Sequence, residues 1–312
     1  MGLSWGWLLA LGGVTALNLA TFAPPWQAAL PGLRFWPAFM LTQASTALSI
    51  VMPAGAAVGL AGSYAMLRSL GFAARDVGRA VTLTGLWNQF ANLLYPILAL
   101  FLLTAAGGES ALLAITAFVG VAVFGVAVGA LVLVLAGDRT ATDVGDLAAR
   151  LRNLSHGKVG RGPVSWGGPS FERFRQDAVD LLRRRWHVLT LATLAGSITV
   201  FLVLLVSLRA LDVPSTEVTV VEAFAAWALV RLIGSIPITP GGIGIVELGL
   251  TAALIGFGGN NAGVVAAVLV FRFLTMVPTL ILGLLSAATW RRHERVMAQS
   301  PGRGRSSAGH EA

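Results

Sequence analysis

Apolar runs long enough to cross a bilayer alternate along this chain with apolar runs that proline and glycine interrupt. Residues 3–22 form the first run, which ends at Pro24-Pro25. Residues 39–70 are apolar but broken at Pro53-Ala54-Gly55. Residues 77–106 and 110–136 read as two full spans around the turn Gly107-Gly108-Glu109. Residues 188–211 form another span and 262–290 the last, with Pro278 predicting a kink. Between them, residues 217–257 are broken by Pro237, Pro240 and a glycine cluster. A backbone in hydrocarbon must satisfy its own hydrogen bonds, and these runs are too continuously apolar for the alternating strands of a barrel. The spans are therefore expected to be helices. The expected fold class is all-α: a polytopic integral membrane protein with about five full spans and two broken or re-entrant helical hairpins.

The polar stretch at residues 137–187 is basic and Gly-rich in its middle. Ser170 can cap a helix there, with Phe171, Phe174, Val179, Leu181, Leu182 and Trp186 on a rough apolar face and Arg183-Arg184-Arg185 following. This reads as an interfacial amphipathic helix leading into the next span. The tail from Arg291 is basic, then Ser/Gly-rich, and is expected to be disordered. The first run is expected to be a span rather than a signal peptide, because the first charge is Arg34 and no basic n-region precedes it. The domain reading is one transmembrane domain over 1–290, a cytoplasmic loop at 137–187 and a tail at 291–312.

Charge then orients the chain. Lys158 and the arginines from 139 to 185 place the long loop in the cytoplasm of a bacterial-type plasma (inner) membrane, and Arg291, Arg292, Arg295, Arg303 and Arg305 place the C-terminus there too. Two full spans separate loop and tail. The broken segment 217–257 must then begin and end on the outer side, as a hairpin. The same parity makes 39–70 a hairpin entered from the cytoplasm, with halves too short to cross a core of about 30 Å comfortably. Laid over each other without gaps, the two segments bring Pro53 onto Pro240, Gly55 onto Gly242, Gly62 onto Gly249 and Gly71 onto Gly258. The expectation is an inverted repeat, about 39–136 and 217–290, whose paired breaks meet near the midplane at a substrate site. A pair of packing kinks is the alternative.

Composition agrees with the membrane reading. Hydrophobic residues make up 56% of the 312, only 12% are charged, and the mean hydropathy is +0.78. The formal charge of +8 sits in loops beside spans, which fits anionic lipid rather than nucleic acid. Cysteine is absent and the four histidines have no partner at ligand spacing, so no metal or other cofactor is expected.

Candidate chemistry gathers at the second break. Gly241, Gly242 and Gly244 open a half-helix whose first N–H groups suit an anion, and glycine lets a headgroup approach the backbone. Arg231, Glu247 and Arg272 sit at comparable depth, where charges are costly and pair or serve a pathway. In the functional reading, Glu247 holds one arginine while the net positive charge receives a lipid phosphate, which arginine's planar fork suits. In the bland reading the trio fixes helix packing. Asn88 and Asn92, on one face of span 77–106 with Gln89 beside them, either line the same cavity or glue helices. Asn18 reads as packing. In the first segment Ala44, Leu60 and Gly85 stand where the second has its charges. Asp143 and Asp146 read as a solvated face, and no catalytic constellation or Walker-type loop is present, so an enzyme is not expected.

The stretch from Arg231 through Pro237, Pro240, Gly241, Gly242 and Gly244 to Glu247 resembles the signature of the lysylphosphatidylglycerol synthase transmembrane-region family. This is the flippase-like domain of bacterial aminoacyl-phosphatidylglycerol synthases and of many stand-alone proteins. Phe271-Arg272 resembles a second family feature, and Pro53 with Gly55, Arg68 and Gly71 its first broken segment. The resemblance implies movement of an anionic or aminoacylated phospholipid, or a related lipid-linked compound, between leaflets. It carries over Arg231, Pro237, Pro240, Gly241, Gly242, Gly244, Glu247 and Arg272 as matching positions, with Pro53, Gly55, Asn88 and Asn92 as further substrate-binding candidates. With Ala312 as the last residue, a cytoplasmic transferase domain is not expected. Membrane phospholipid is the expected partner, and a lipid-synthesis enzyme or a second copy are further partners the sequence allows. The alternatives to a flippase are a non-catalytic accessory subunit of a lipid or glycolipid biosynthesis system and, behind it, a transferase using a lipid-linked donor.

Overall fold

The computed structural model describes residues 4–52, 55–106, 119–129, 168–235 and 239–298. Among these, every regular element is helical. The helices are α1 (Trp5–Thr21), α2 (Ala23–Ala29), α3 (Phe35–Val51), α4 (Gly55–Ser69) and α5 (Ala74–Ala105). They continue with α6 (Val119–Gly129), α7 (Gly168–Ala210), α8 (Val220–Gly234), α9 (Ile245–Gly256) and α10 (Asn261–Ala298), with a short 3-10 turn at Pro240–Gly242 before α9. Among the described residues, four stretches are long and apolar enough to cross a membrane: Trp5–Ala29, Ala74–Ala105, Phe174–Ala210 and Asn261–Thr289. The protein is thus a polytopic α-helical membrane protein. Of the span expected at 110–136, only α6 lies within the described residues. Pro53, Pro237, Asp143, Asp146 and most of the basic loop lie outside them.

The two broken segments form paired short helices. With 17 and 15 residues, α3 and α4 reach only about 25 and 22 Å, less than the hydrocarbon thickness of about 30 Å. The arms α8 and α9 are no longer, at 15 and 12 residues. A capping box starts α8: Glu222 accepts from the Thr219 N–H at 2.8 Å, and Thr219 Oγ1 accepts from the Glu222 N–H at 3.3 Å. Each hairpin packs reciprocally. Its first arm lies against the long helix that follows the other hairpin, α3 on α10 and α8 on α5.

In lipid the helices gain little from burying apolar surface, so close approach by small residues carries the packing. A Cβ at Gly283 on α10 would collide with Ala47 Cβ and lie 2.7 Å from the Gln43 carbonyl oxygen on α3. A Cβ at Gly59 on α4 would collide with Ser49 Oγ and lie 2.8 Å from the Ser45 carbonyl oxygen. At Gly196 on α7 it would sit 3.1 Å from the Thr21 carbonyl oxygen, where Asn18 Nδ2 also donates to Thr199 Oγ1 at 3.0 Å and joins α1 to α7. An aromatic cluster fills the centre: Tyr95 and Trp227 rings lie 5.0 Å apart, and Phe201 and Phe224 5.3 Å apart.

Two expectations need correction. The stretch at 170–187 is not a separate interfacial helix but the first half of α7, a continuous helix of 43 residues and about 65 Å. Its Phe174, Leu181 and Leu182 pack against protein, around buried Val77, Ala80 and Ala178, and Asp177 pairs with Arg75 at the start of α5. The apolar face seen in the sequence therefore docks on α5. The tail is helical through Ala298 rather than disordered from Arg291, because α10 runs on without a break. Pro278, the position where a kink is expected, lies inside that same helix.

Gly283→Val forces α10 away from α3 and is expected to cost about 1–3 kcal/mol. Thermal unfolding in detergent should show the loss, while Gly12→Ala, with no atom within 4 Å of the added Cβ, should show none.

Candidate functional site

The second break is built by glycine and held by one carboxylate. Gly241, Gly242 and Gly244 all have positive φ, at 61°, 67° and 84°, a region that costs any residue with a Cβ. At Gly241 space is also short: a Cβ would meet Ile50 Cγ2 at 3.1 Å and Met276 Cε at 3.3 Å. Ile50 lies near the end of α3, so the tip of the first hairpin touches the turn of the second. From the first turn of α9, Glu247 reaches back. Its Oε2 accepts from the Gly244 N–H at 2.6 Å, and its Oε1 accepts from Arg272 Nε at 2.6 Å. Arg272 Nη2 donates to the Gly241 carbonyl oxygen at 2.9 Å. One carboxylate thus caps the half-helix and ties it to α10. The N-terminus of α9, expected to receive an anion, already carries the chain's own carboxylate.

Arg231 stands apart from this pair. Its Nε donates to Asn92 Oδ1 at 2.8 Å and its Nη2 to Ser197 Oγ at 3.3 Å, with the guanidinium 5.4 Å from the centre of the Trp227 ring. Asn92 in turn donates to Gln89 Oε1 at 3.0 Å. All of these partners are neutral. Among the described residues Arg231 has no carboxylate beside it.

Two cavities meet at Arg231. One, of about 310 Å³, has Ile50, Asn92, Gly241, Phe271, Arg272 and Met276 in its wall. The other, of about 570 Å³, lies between α3, α4, α5 and α7, with Asn88 and Gln89 in its wall. Arg231 and Ser235 line both. The candidates of the sequence therefore divide. Arg231, Arg272, Gly241 and Asn92 meet at the smaller cavity, and Asn88 opens on the larger. Glu247 acts behind Arg272. Gly242, Gly244 and Pro240 shape the turn and line neither cavity, and Gly55 is packed against the Ser49 carbonyl oxygen. Pro53 and Pro237 lie outside the described residues.

Sequence reasoning missed Ser197, Trp227 and the hydroxyl wall of the larger cavity. A signal for the wall was present: Thr42, Ser45, Thr46 and Ser49 recur at i, i+3, i+4 and i+7, one face of a helix.

An α-helical integral membrane protein with two broken hairpins around two arginines is the class that this geometry defines. The chain belongs to the family described as lysylphosphatidylglycerol synthase TM region, whose profile matches residues 1–283. That family ties it to membrane-lipid function. No curated protein matches the chain.

Glu247→Ala strips both the Gly244 N–H and Arg272 of their acceptor and is expected to destabilise the protein by about 1–3 kcal/mol. Glu247→Gln keeps an amide oxygen for one of the two and should fall between. Thermal unfolding of the three proteins in detergent, in the order wild type, Gln, Ala, checks this.

Proposed function

We propose that this protein translocates an anionic phospholipid or lipid-linked anionic compound between leaflets, by binding and release without covalent chemistry of its own. The observation that carries the reading is Arg231: a guanidinium within the helical bundle, held by neutral partners, at the junction of two cavities. An arginine at the bilayer centre costs about 2.5–3.5 kcal/mol or more, and a phosphate arriving at either cavity offsets that cost. Because Glu247 is committed to Arg272, the site keeps a net positive charge. Arginine's fork then fits a phosphate through two parallel bonds.

The inverted-repeat reading is supported by the reciprocal packing of α3 on α10 and α8 on α5, and by the contact between the two hairpin tips. In this reading the site is reached from each face in turn, across the fixed arginine. The membrane is a bacterial plasma membrane, with the basic loop and C-terminus in the cytoplasm, as their arginines favour.

The test is transfer of headgroup-labelled phosphatidylglycerol across proteoliposomes carrying the purified protein. Arg231→Ala should reduce the rate by at least about tenfold, and Arg231→Lys, which keeps the charge but not the fork, should fall between. Wild-type protein that moves no anionic phospholipid, or an Arg231→Ala protein as fast as wild type, would sink the reading.

A further inference from the structure

A guanidinium has N–H groups along two usable edges, and the two arginines at the break commit the same edge. Arg231 donates from Nε to Asn92 Oδ1 at 2.8 Å and from Nη2 to Ser197 Oγ at 3.3 Å. Arg272 donates from Nε to Glu247 Oε1 at 2.6 Å and from Nη2 to the Gly241 carbonyl oxygen at 2.9 Å. Each is held along its Nε–Nη2 side. The Nη1 group of each, and the second N–H of each Nη2, have no partner among the described residues. Together these form the end of the fork, an edge that takes two oxygens of a phosphate. Both arginines line the smaller cavity, and among its described wall residues there is no carboxylate.

Charge at this cavity is set by Arg231, Arg272 and Glu247. The arginines bring two positive charges, and Glu247, behind Arg272, cancels one. The rest of the described wall is neutral, with Asn92, Ser235 and Thr275 as its polar side chains. A single negative charge balances what remains. A phosphodiester carries one, whereas a phosphate monoester carries about two near neutral pH and a diphosphate no fewer. A second negative charge in this low-dielectric space would have no partner, which is costly. At about 310 Å³ the cavity has room for either group, so charge rather than size makes the choice.

We infer that the smaller cavity clamps one phosphodiester between the free edges of Arg231 and Arg272, and that Glu247 sets its preference for one negative charge over two. The inference rests on the proposed function and narrows it: lipids joined through a phosphodiester are taken, while lipid-linked diphosphates and phosphate monoesters are disfavoured. Glu247 acts through Arg272 and does not touch the lipid, so it is a positioning residue. Asn92 holds the matching place beside Arg231. Its Nδ2 donates to Gln89 Oε1 at 3.0 Å, which turns its own oxygen toward the arginine Nε. An amide there holds the guanidinium without cancelling its charge, as a carboxylate would.

Binding can be measured separately from transfer, by native mass spectrometry of the purified protein with equal amounts of short-chain phosphatidylmethanol and phosphatidic acid. At about pH 8 these lipids differ by one methyl group and one charge, since the second monoester pKa is about 6. Wild type should favour the diester by at least about tenfold, and geranylgeranyl diphosphate should compete no better than phosphatidic acid. Glu247→Gln raises the net charge of the site by one and should abolish or reverse that preference. Asn92→Asp lowers it by one and should weaken the diester at least about tenfold. It keeps an acceptor for Arg231, so it tests the charge count even if Glu247→Gln fails to fold. Arg272→Lys, which keeps the charge but not the fork, should weaken the diester too. Equal or tighter binding of the dianionic lipids to wild type, or a preference unmoved by Glu247→Gln, would overturn the inference. So would an Asn92→Asp or Arg272→Lys protein that binds the diester like wild type, or no binding of any of these lipids. Dimethyl phosphate should compete only weakly. If it competed equally, the ligand would be a soluble diester and the lipid assignment would fall. Charge-selective binding without transfer in proteoliposomes would leave the clamp standing and overturn translocation, whereas transfer of phosphatidylglycerol without charge selectivity would do the reverse.

Discussion

The carboxylate of Glu247 answers two demands that a broken helix in lipid creates together. A chain interrupted inside the bundle exposes N–H groups that no water can satisfy, and an arginine at the same depth needs a counter-charge. Glu247 accepts from the Gly244 N–H and from Arg272, while Arg272 closes the ring on the Gly241 carbonyl oxygen. The turn, the start of α9 and the middle of α10 thereby become one unit. Stoichiometry then sets the chemistry of the site. With two arginines and one carboxylate at the break, one guanidinium is left over, and Arg231 is the one held only by neutral groups.

That unit would be useless if the first hairpin stood away from it. Glycine brings it close. Gly283 lets α10 lie directly on the α3 backbone, Gly59 does the same for α4, and Gly241 accepts the flank of Ile50. These contacts involve backbone or short side chains, so they have little freedom to give. The same closeness leaves the two cavities where the short arms fail to fill the space between long helices. Their walls differ because they draw mostly on different halves: charged around Arg272, hydroxyl-rich along α3, α4 and α5.

Much of this was legible in the order of residues because lipid imposes severe rules on sequence. Uninterrupted apolar length marks α5 and α10, and proline with glycine marks the breaks, since few other residues tolerate those dihedrals. Arg231, Glu247 and Arg272 stood out because charge is rare in such runs. The first half of α7 was read less well. Its apolar stripe suits a membrane surface and a protein surface equally, and only the docking of Phe174, Leu181 and Leu182 around Val77 and Ala80 decides between them. The hydroxyl stripe of α3 went unread for a related reason: a serine or threonine in a helix commonly satisfies itself on the preceding turn, so the pattern alone does not say that it faces a cavity.

The sequence by itself determined that this chain lives in a membrane, that its spans are helices, and that two of its apolar segments are broken. Each of these comes from one-dimensional facts: run length, charge density, and the dihedral limits of proline and glycine. Pairing was decided only by the tertiary structure. Whether Glu247 neutralises Arg231 or Arg272, both within reach on a linear reading, depends on where α10 lies relative to α9, and that is set by close packing of helices far apart in the chain. The same packing placed Asn92 and Ser197 around Arg231 and gathered hydroxyls from four helices into one wall.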